Sequence, residues 1–194
     1  MYKILKFLVL GSLFLILTSS LTVSAQSFSL KTNLFHWATT TPNLGMEFKI
    51  GDKWTMDISG GYNPFTFKEN RKLKHWIVFP EIRWWTCESY TGHFLGFHFI
   101  GGRYNVGGID IPVGRFGKLK DYRYEGWAVG AGLTYGYHWI LSKRLNLEAS
   151  VSAGYGYFDY EKFKCPKCGE KISEGNYNYF GLTKATLSLI YFIK

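Results

Sequence analysis

Long apolar runs are nearly missing from this chain. Apart from residues 7–17, no stretch approaches the roughly 20 consecutive apolar residues that a membrane-spanning helix needs, which excludes a helical membrane protein. Cysteine is scarce too, with three in 194 residues. Two of them stand as Cys165-Pro166-Lys167-Cys168, and the third, Cys87, is far away in sequence, so a four-thiolate zinc site cannot be completed within the chain. Acidic residues are few: Asp and Glu number 14 against 23 Lys and Arg, for a formal charge of +9. No unit recurs with the period of a solenoid, no segment is of low complexity, and no nucleic-acid-binding motif occurs.

Aromatics, by contrast, make up 19% of the chain, and their placement is ordered. In YEGWAVGAGLTYGYHWI every second residue from Trp127 is apolar: Val129, Ala131, Leu133, Tyr135, Tyr137 and Trp139. Between them stand Ala128, Gly130, Gly132, Thr134, Gly136 and His138, small or polar. After the short turn at residues 141–144 the alternation resumes, with Leu145, Leu147 and Val151 on one face and Asn146, Glu148, Ser150 and Ser152 on the other. Period two sustained past ten residues, apolar against small and polar, with aromatics at the ends, predicts a transmembrane β-hairpin.

The start of the chain is set apart from this pattern. Lys3 and Lys6, the apolar run at residues 7–17 and Val23-Ser24-Ala25 together predict a signal peptide over residues 1–25. Residues 26–194 then form one barrel domain. Strands are expected near residues 28–37, 44–50, 54–62, 75–87, 93–104, 125–139, 145–157 and 177–193. Pro80 falls inside the fourth of these, where a bulge or a skipped hydrogen bond has to accommodate it. Turns near residues 51, 88 and 141 are short, whereas residues 63–74, 105–123 and 159–176 read as longer loops on the opposite side. The expected fold is all-β: an eight-stranded antiparallel transmembrane β-barrel of OmpA- and OmpX-like architecture, placed in the outer membrane after export.

Parity then fills the lumen. Glu47, Asp57, Glu81 and Glu148 point inward with Lys31, Lys49, Arg83 and Lys184, and a lumen this narrow tolerates buried charges when they are paired. The expectation is a structural ion-pair network; a narrow ion channel is the alternative. The histidines His36, His75, His93, His98 and His138 read mostly as rim residues, since Trp37, Trp76 and Trp139 adjoin three of them. None has a serine two residues away on the same face, so catalytic residues are not expected and a lipid-modifying or proteolytic enzyme stays an alternative. Cys165 and Cys168 are expected to close a loop disulfide rather than hold zinc, with zinc as the other reading. No other cofactor is called for, and Cys87 reads as a free thiol. Basic residues gather in the longer loops: Lys68, Arg71, Lys72 and Lys74, then Arg115, Lys118, Lys120 and Arg123, then Lys162, Lys164, Lys167 and Lys171. They suit phosphates of outer-membrane lipid and lipopolysaccharide.

The segments KTNLFHWATTTPNLGMEF, SGGYNPF, KHWIVFPEIRWW, GHFLGFHFIGGRYNVGG and CPKCGE, with the hairpin above, resemble a family of uncharacterised small outer-membrane β-barrels of Bacteroidota, a domain of unknown function. The resemblance implies a cell-surface structural or interaction protein, with a fimbrial or OmpA-type surface protein as partner, and it brings no catalytic residues. The ending Leu187-x-Leu189-x-Tyr191-Phe192 is similar to the signal read by the barrel-assembly machinery.

Overall fold

The computed structural model describes residues 28–67, 71–108, 122–164 and 169–193; the expected signal peptide, Cys165 and Cys168 lie outside them. The strands are β1 (Phe28–Asn33), β2 (Asn43–Gly51), β3 (Trp54–Asn63), β4 (Lys72–Trp85), β5 (Gly92–Gly107), β6 (Arg123–Ile140), β7 (Leu145–Phe163) and β8 (Lys171–Ile193). Each pairs antiparallel with the next, and β8 returns to β1 through Phe28↔Ile193 to Asn33↔Ser188, closing the ring. The all-β class and the eight antiparallel strands are as the periodicity predicted.

The alternation explains which face turns in. Glu148, Ser150 and Ser152 are buried, whereas Val129, Leu133, Val151 and Leu182 are exposed. Small inward residues are required where neighbours press close: a Cβ on Gly136 would stand 2.3 Å from Phe94 Cζ. At the end carrying the short turns, Trp85, Tyr90, Phe94, Ile190 and Phe192 meet in an apolar plug. Tyr90 reaches it from the turn after β4 with φ +68°, and its hydroxyl donates to the Glu47 carbonyl at 3.3 Å.

Several boundaries differ from the expectation. The first strand ends at Asn33 rather than near Trp37, because the Asn33 side chain accepts from Phe35 N–H at 3.1 Å and caps a short helix, α1 (Leu34–Ala38). At the other end of the sequence, β7 and β8 continue far into residues 159–176, which had read as a loop. Those residues pair regularly from Asp159↔Asn176 to Lys162↔Ser173. At about 3.3 Å per residue β8 extends roughly 75 Å and β1 roughly 20 Å, so one wall stands much taller than the other. Pro80 is accommodated as its missing N–H requires: the β4–β5 ladder lapses between Val78↔Gly101 and Glu81↔His98. An extra residue in β8, Thr183, sits between Ala153↔Leu182 and Ser152↔Lys184 as a bulge.

Candidate functional site

The candidate site is the lumen, and register assembles it. Glu47↔Asp57 and Asp57↔Glu81 are direct cross-strand partners on β2, β3 and β4. Three carboxylates thus stand side by side, roughly 5 Å apart, and only cations can hold them there. Lys31 on β1 places its ammonium 2.6 Å from Glu47, 2.9 Å from Asp57 and 3.6 Å from Glu148. Arg83 on β4 donates through Nε to Glu81 at 2.7 Å, and through Nη1 to Glu47 at 3.1 Å and Glu148 at 2.8 Å. Lys184, on β8 just below the bulge, donates to Glu81.

Around this core, hydroxyls and imidazoles complete the bonding. Thr55 donates to Glu47 at 2.5 Å and in turn accepts from Trp85 Nε1 at 2.9 Å, so the network and the plug are one structure. Thr134 donates to Glu81 at 3.1 Å and lies 3.0 Å from His98 Nδ1, whose Nε2 reaches Thr183 at 3.1 Å. His138 Nδ1 lies 3.7 Å from Glu148, and Nε2 is 2.9 Å from the Asn146 side chain. Asp57 is the least bonded acid: among the described residues neither of its oxygens has a directed hydrogen bond, and the close Lys31 contact is electrostatic. A cavity of about 30 Å³ beside it, lined also by Ser59 and Lys184, has room for about one water.

Lys31, Glu47, Asp57, Glu81, Arg83, Glu148 and Lys184 are therefore brought together, and all are buried. Lys49 is not. It lies on the inward parity but at the rim, exposed, 3.7 Å from Asp52 in the following turn. Parity assigns a face and carries no information about height, so a rim residue and a lumen residue look alike in sequence. The inward cations are then Lys31, Arg83 and Lys184 against the carboxylates of Glu47, Asp57, Glu81 and Glu148.

The rim assignment of the histidines also needs correction. His98 and His138 are buried members of the lumen, with relative exposures of 0% and 2%. Their strands place them on the face of Thr134 and Glu148, a signal that parity offered and that adjacency to Trp139 obscured. His93 does lie outside, stacked on Tyr135, which meets its Nδ1 at 2.7 Å. His36, on α1, and His75 face each other closely enough that burial, followed by the neighbouring imidazole, holds His36 below the ordinary imidazole range.

Cys87 is a free, exposed thiol in the turn after β4. Among the described residues no cluster of His, Cys, Asp and Glu could hold a metal ion. Of the basic loop residues, Lys68, Arg115, Lys118, Lys120 and Lys167 lie outside the described residues. Three others are engaged within the chain. Arg123 stacks over Phe163 at 4.1 Å and Lys162 over Tyr122 at 3.7 Å. Lys171 lies 2.6 Å from both Glu161 and Glu174.

A family model described as "Protein of unknown function (DUF3575)" matches residues 11–193. That agrees with the domain of unknown function in the resemblance; the description is silent on taxon and on the outer membrane. No curated protein and no solved structure matches the chain.

Proposed function

We propose that this chain, which belongs to the DUF3575 family of unknown function, is a closed outer-membrane β-barrel with a structural and interaction role at the cell surface. One observation carries the reading: the barrel is inside-out relative to a water-soluble one. Its buried residues include Lys31, Glu47, Asp57, Glu81, Arg83, Lys184 and Glu148, while Leu44, Ile58, Val78, Phe97, Leu133 and Leu182 are exposed on the outer face. Such a surface is stable against hydrocarbon and insoluble in water. With the short turns facing the periplasm, the tall wall of β6, β7 and β8 rises outside the cell. These strands far exceed the roughly 10 residues needed to cross, so the excess is surface available to a partner. The partner class implied by the resemblance is a fimbrial or OmpA-type surface protein.

The lumen supports closure. The plug and the salt-bridged network block it at successive levels, which disfavours the channel reading. His98, Thr134 and Glu81 have the connectivity of an acid–base relay, but each is at most 1% exposed, so no substrate reaches them through the wall. The test is crosslinking in intact cells from a photoreactive residue at position 174 on the tall hairpin, followed by mild-detergent capture. A stoichiometric surface protein is the expected product; recovery of the barrel alone would overturn the interaction role.

A further inference from the structure

On the outer wall, just where the tall strands leave the apolar band, there is a cleft of about 560 Å³. Its floor is set by register. Tyr62↔Trp76, Trp76↔Arg103, Arg103↔Trp127 and Trp127↔Asp159 are successive partners across β3 to β7, so their side chains stand in one row on the same face. Two residues further along the strands a second row follows, Lys74↔Asn105, Asn105↔Glu125 and Glu125↔Glu161. Below lies the aromatic belt and above it the water-facing hairpins.

The composition of the cleft decides what it can hold. An acyl chain is excluded by five charged groups in the lining. A phosphate placed beside Lys74 and Arg103 would also face the carboxylates of Glu125, Asp159 and Glu161. Two of these already have cations, Glu125 with Arg123 at 3.8 Å and Glu161 with Lys171 at 2.6 Å, whereas a neutral ligand meets no repulsion from any of them. Trp76 and Trp127 are exposed and stand two strand spacings, about 10 Å, apart with Arg103 between them. A saturated, puckered ring whose C–H groups form an apolar face and whose hydroxyls stand at its edge satisfies both parts: its C–H face covers indole, and its hydroxyls bond the carboxylates and the guanidinium.

The geometry points to a binding site for a neutral saccharide, the sugar head of an outer-leaflet glycolipid, seated on Trp76 and Trp127 and held by Arg103, Glu125 and Asp159. A volume of 560 Å³ lies within the roughly 300–1,000 Å³ of ligand pockets and suits roughly two or three sugar rings. The source follows from the placement proposed above: the cleft lies on the outward face of β3 to β7, beyond Val78 and Val129 on the apolar band. On that placement it stands at the outer-leaflet headgroups, and a lipid-borne sugar reaches it without leaving the membrane. Asn105 donates to Glu125 at 3.0 Å, which orients that carboxylate before any ligand arrives.

This inference rests on the outer-membrane placement proposed above, and the test scores the two separately. The full barrel is folded into nanodiscs of synthetic phospholipid, with folding checked by the heat-dependent gel shift. It is then titrated with the dephosphorylated oligosaccharide released by mild acid from the host's own outer-membrane glycolipid, read by tryptophan fluorescence. Saturable binding is expected, weakened at least tenfold by Trp127→Ala and by Asp159→Asn and unchanged by Trp37→Ala, which alters a tryptophan on α1. Absence of saturable binding by the folded protein, or equal affinity in all variants, overturns the site. So does competition by inorganic phosphate, which would make it an anion site. Fractionation of cells reports the membrane placement independently of these results.

Discussion

Arg83 and Glu148 meet at 2.8 Å in the middle of the lumen, joining β4 to β7 across the ring. Their strands are three apart in a closed sheet of eight, so this pair braces nearly opposite walls. Removing Arg83 leaves four buried carboxylates with two cations, and removing Glu148 takes from Arg83 its brace to β7 and leaves it to Glu81 and Glu47 on its own side of the ring. Arg83→Met and Glu148→Ala should each destabilise the folded barrel by about 3–5 kcal/mol, read from urea unfolding in detergent. Glu174→Ala, at a fully exposed ion pair on the tall hairpin, should leave the unfolding curve unchanged. Equal curves for the three variants would mean that the lumen network has been misread.

Lys31 and Lys49 lie on the same face of adjacent strands, yet they should behave differently. Lys31→Ala leaves Glu47 and Asp57 without their nearest cation and should cost about 3–5 kcal/mol. Lys49→Ala breaks a rim contact at 3.7 Å and should cost less than about 1 kcal/mol. A large loss from Lys49→Ala in the same unfolding assay would return that residue to the network.

Glycine tolerance should follow the plug. At Gly136 an added methyl meets Phe94 at 2.3 Å and the Ala149 carbonyl at 2.9 Å, so Gly136→Ala should destabilise by about 1–3 kcal/mol. At Gly101 the nearest atom is 3.9 Å away, and Gly101→Ala should be neutral or mildly stabilising. Thermal melts of the two variants, followed by loss of the compact gel species, decide between these outcomes.

His36 sets a pH dependence whose sign is fixed. Its folded value is lowered, by burial first and His75 second, so the unfolded chain binds the proton more readily. Its contribution is present above the ordinary imidazole value of about 6.5 and is lost as pH falls below it. Unfolding free energy should therefore decline on acidification through that range, and His36→Gln should flatten the decline. An unchanged slope in the variant would contradict the assignment.

Much of this was legible because period-two alternation is a strong signal where the outer face is apolar. Val129, Leu133 and Tyr135 against Gly130, Thr134 and Gly136 fix the facing of β6, and the same parity placed Glu148 and Arg83 in one lumen. The signal fails where its cause stops. From Lys171 to Asn176 Ile172 is the one apolar side chain, because outside the apolar band nothing selects an alternating apolar face, so a strand resembled a loop; the available clue was Lys171 within reach of Glu161 on the neighbouring strand and Glu174 on its own. At Asn33 a single side chain ends β1 by capping five residues of helix, too short for a helical period to register. Lys49 fails for want of height, and His138 because a neighbouring tryptophan suggested a rim when parity alone gave the lumen. The outer-wall cleft was invisible in sequence, since Trp76, Arg103 and Trp127 are neighbours only through the pairing of three strands.

The central claim, a barrel crossing the outer membrane with its short turns in the periplasm, is tested most directly by thiol labelling in cells. In a Cys165→Ser, Cys168→Ser background the remaining thiol is Cys87, exposed in the short turn after β4; adding Glu174→Cys to a Cys87→Ser version reports the tall hairpin. With a membrane-impermeant maleimide, the thiol at position 174 should react in intact cells, and Cys87 only after the outer membrane is permeabilised. Labelling of both in intact cells, or of neither until the cells are broken, would contradict the account.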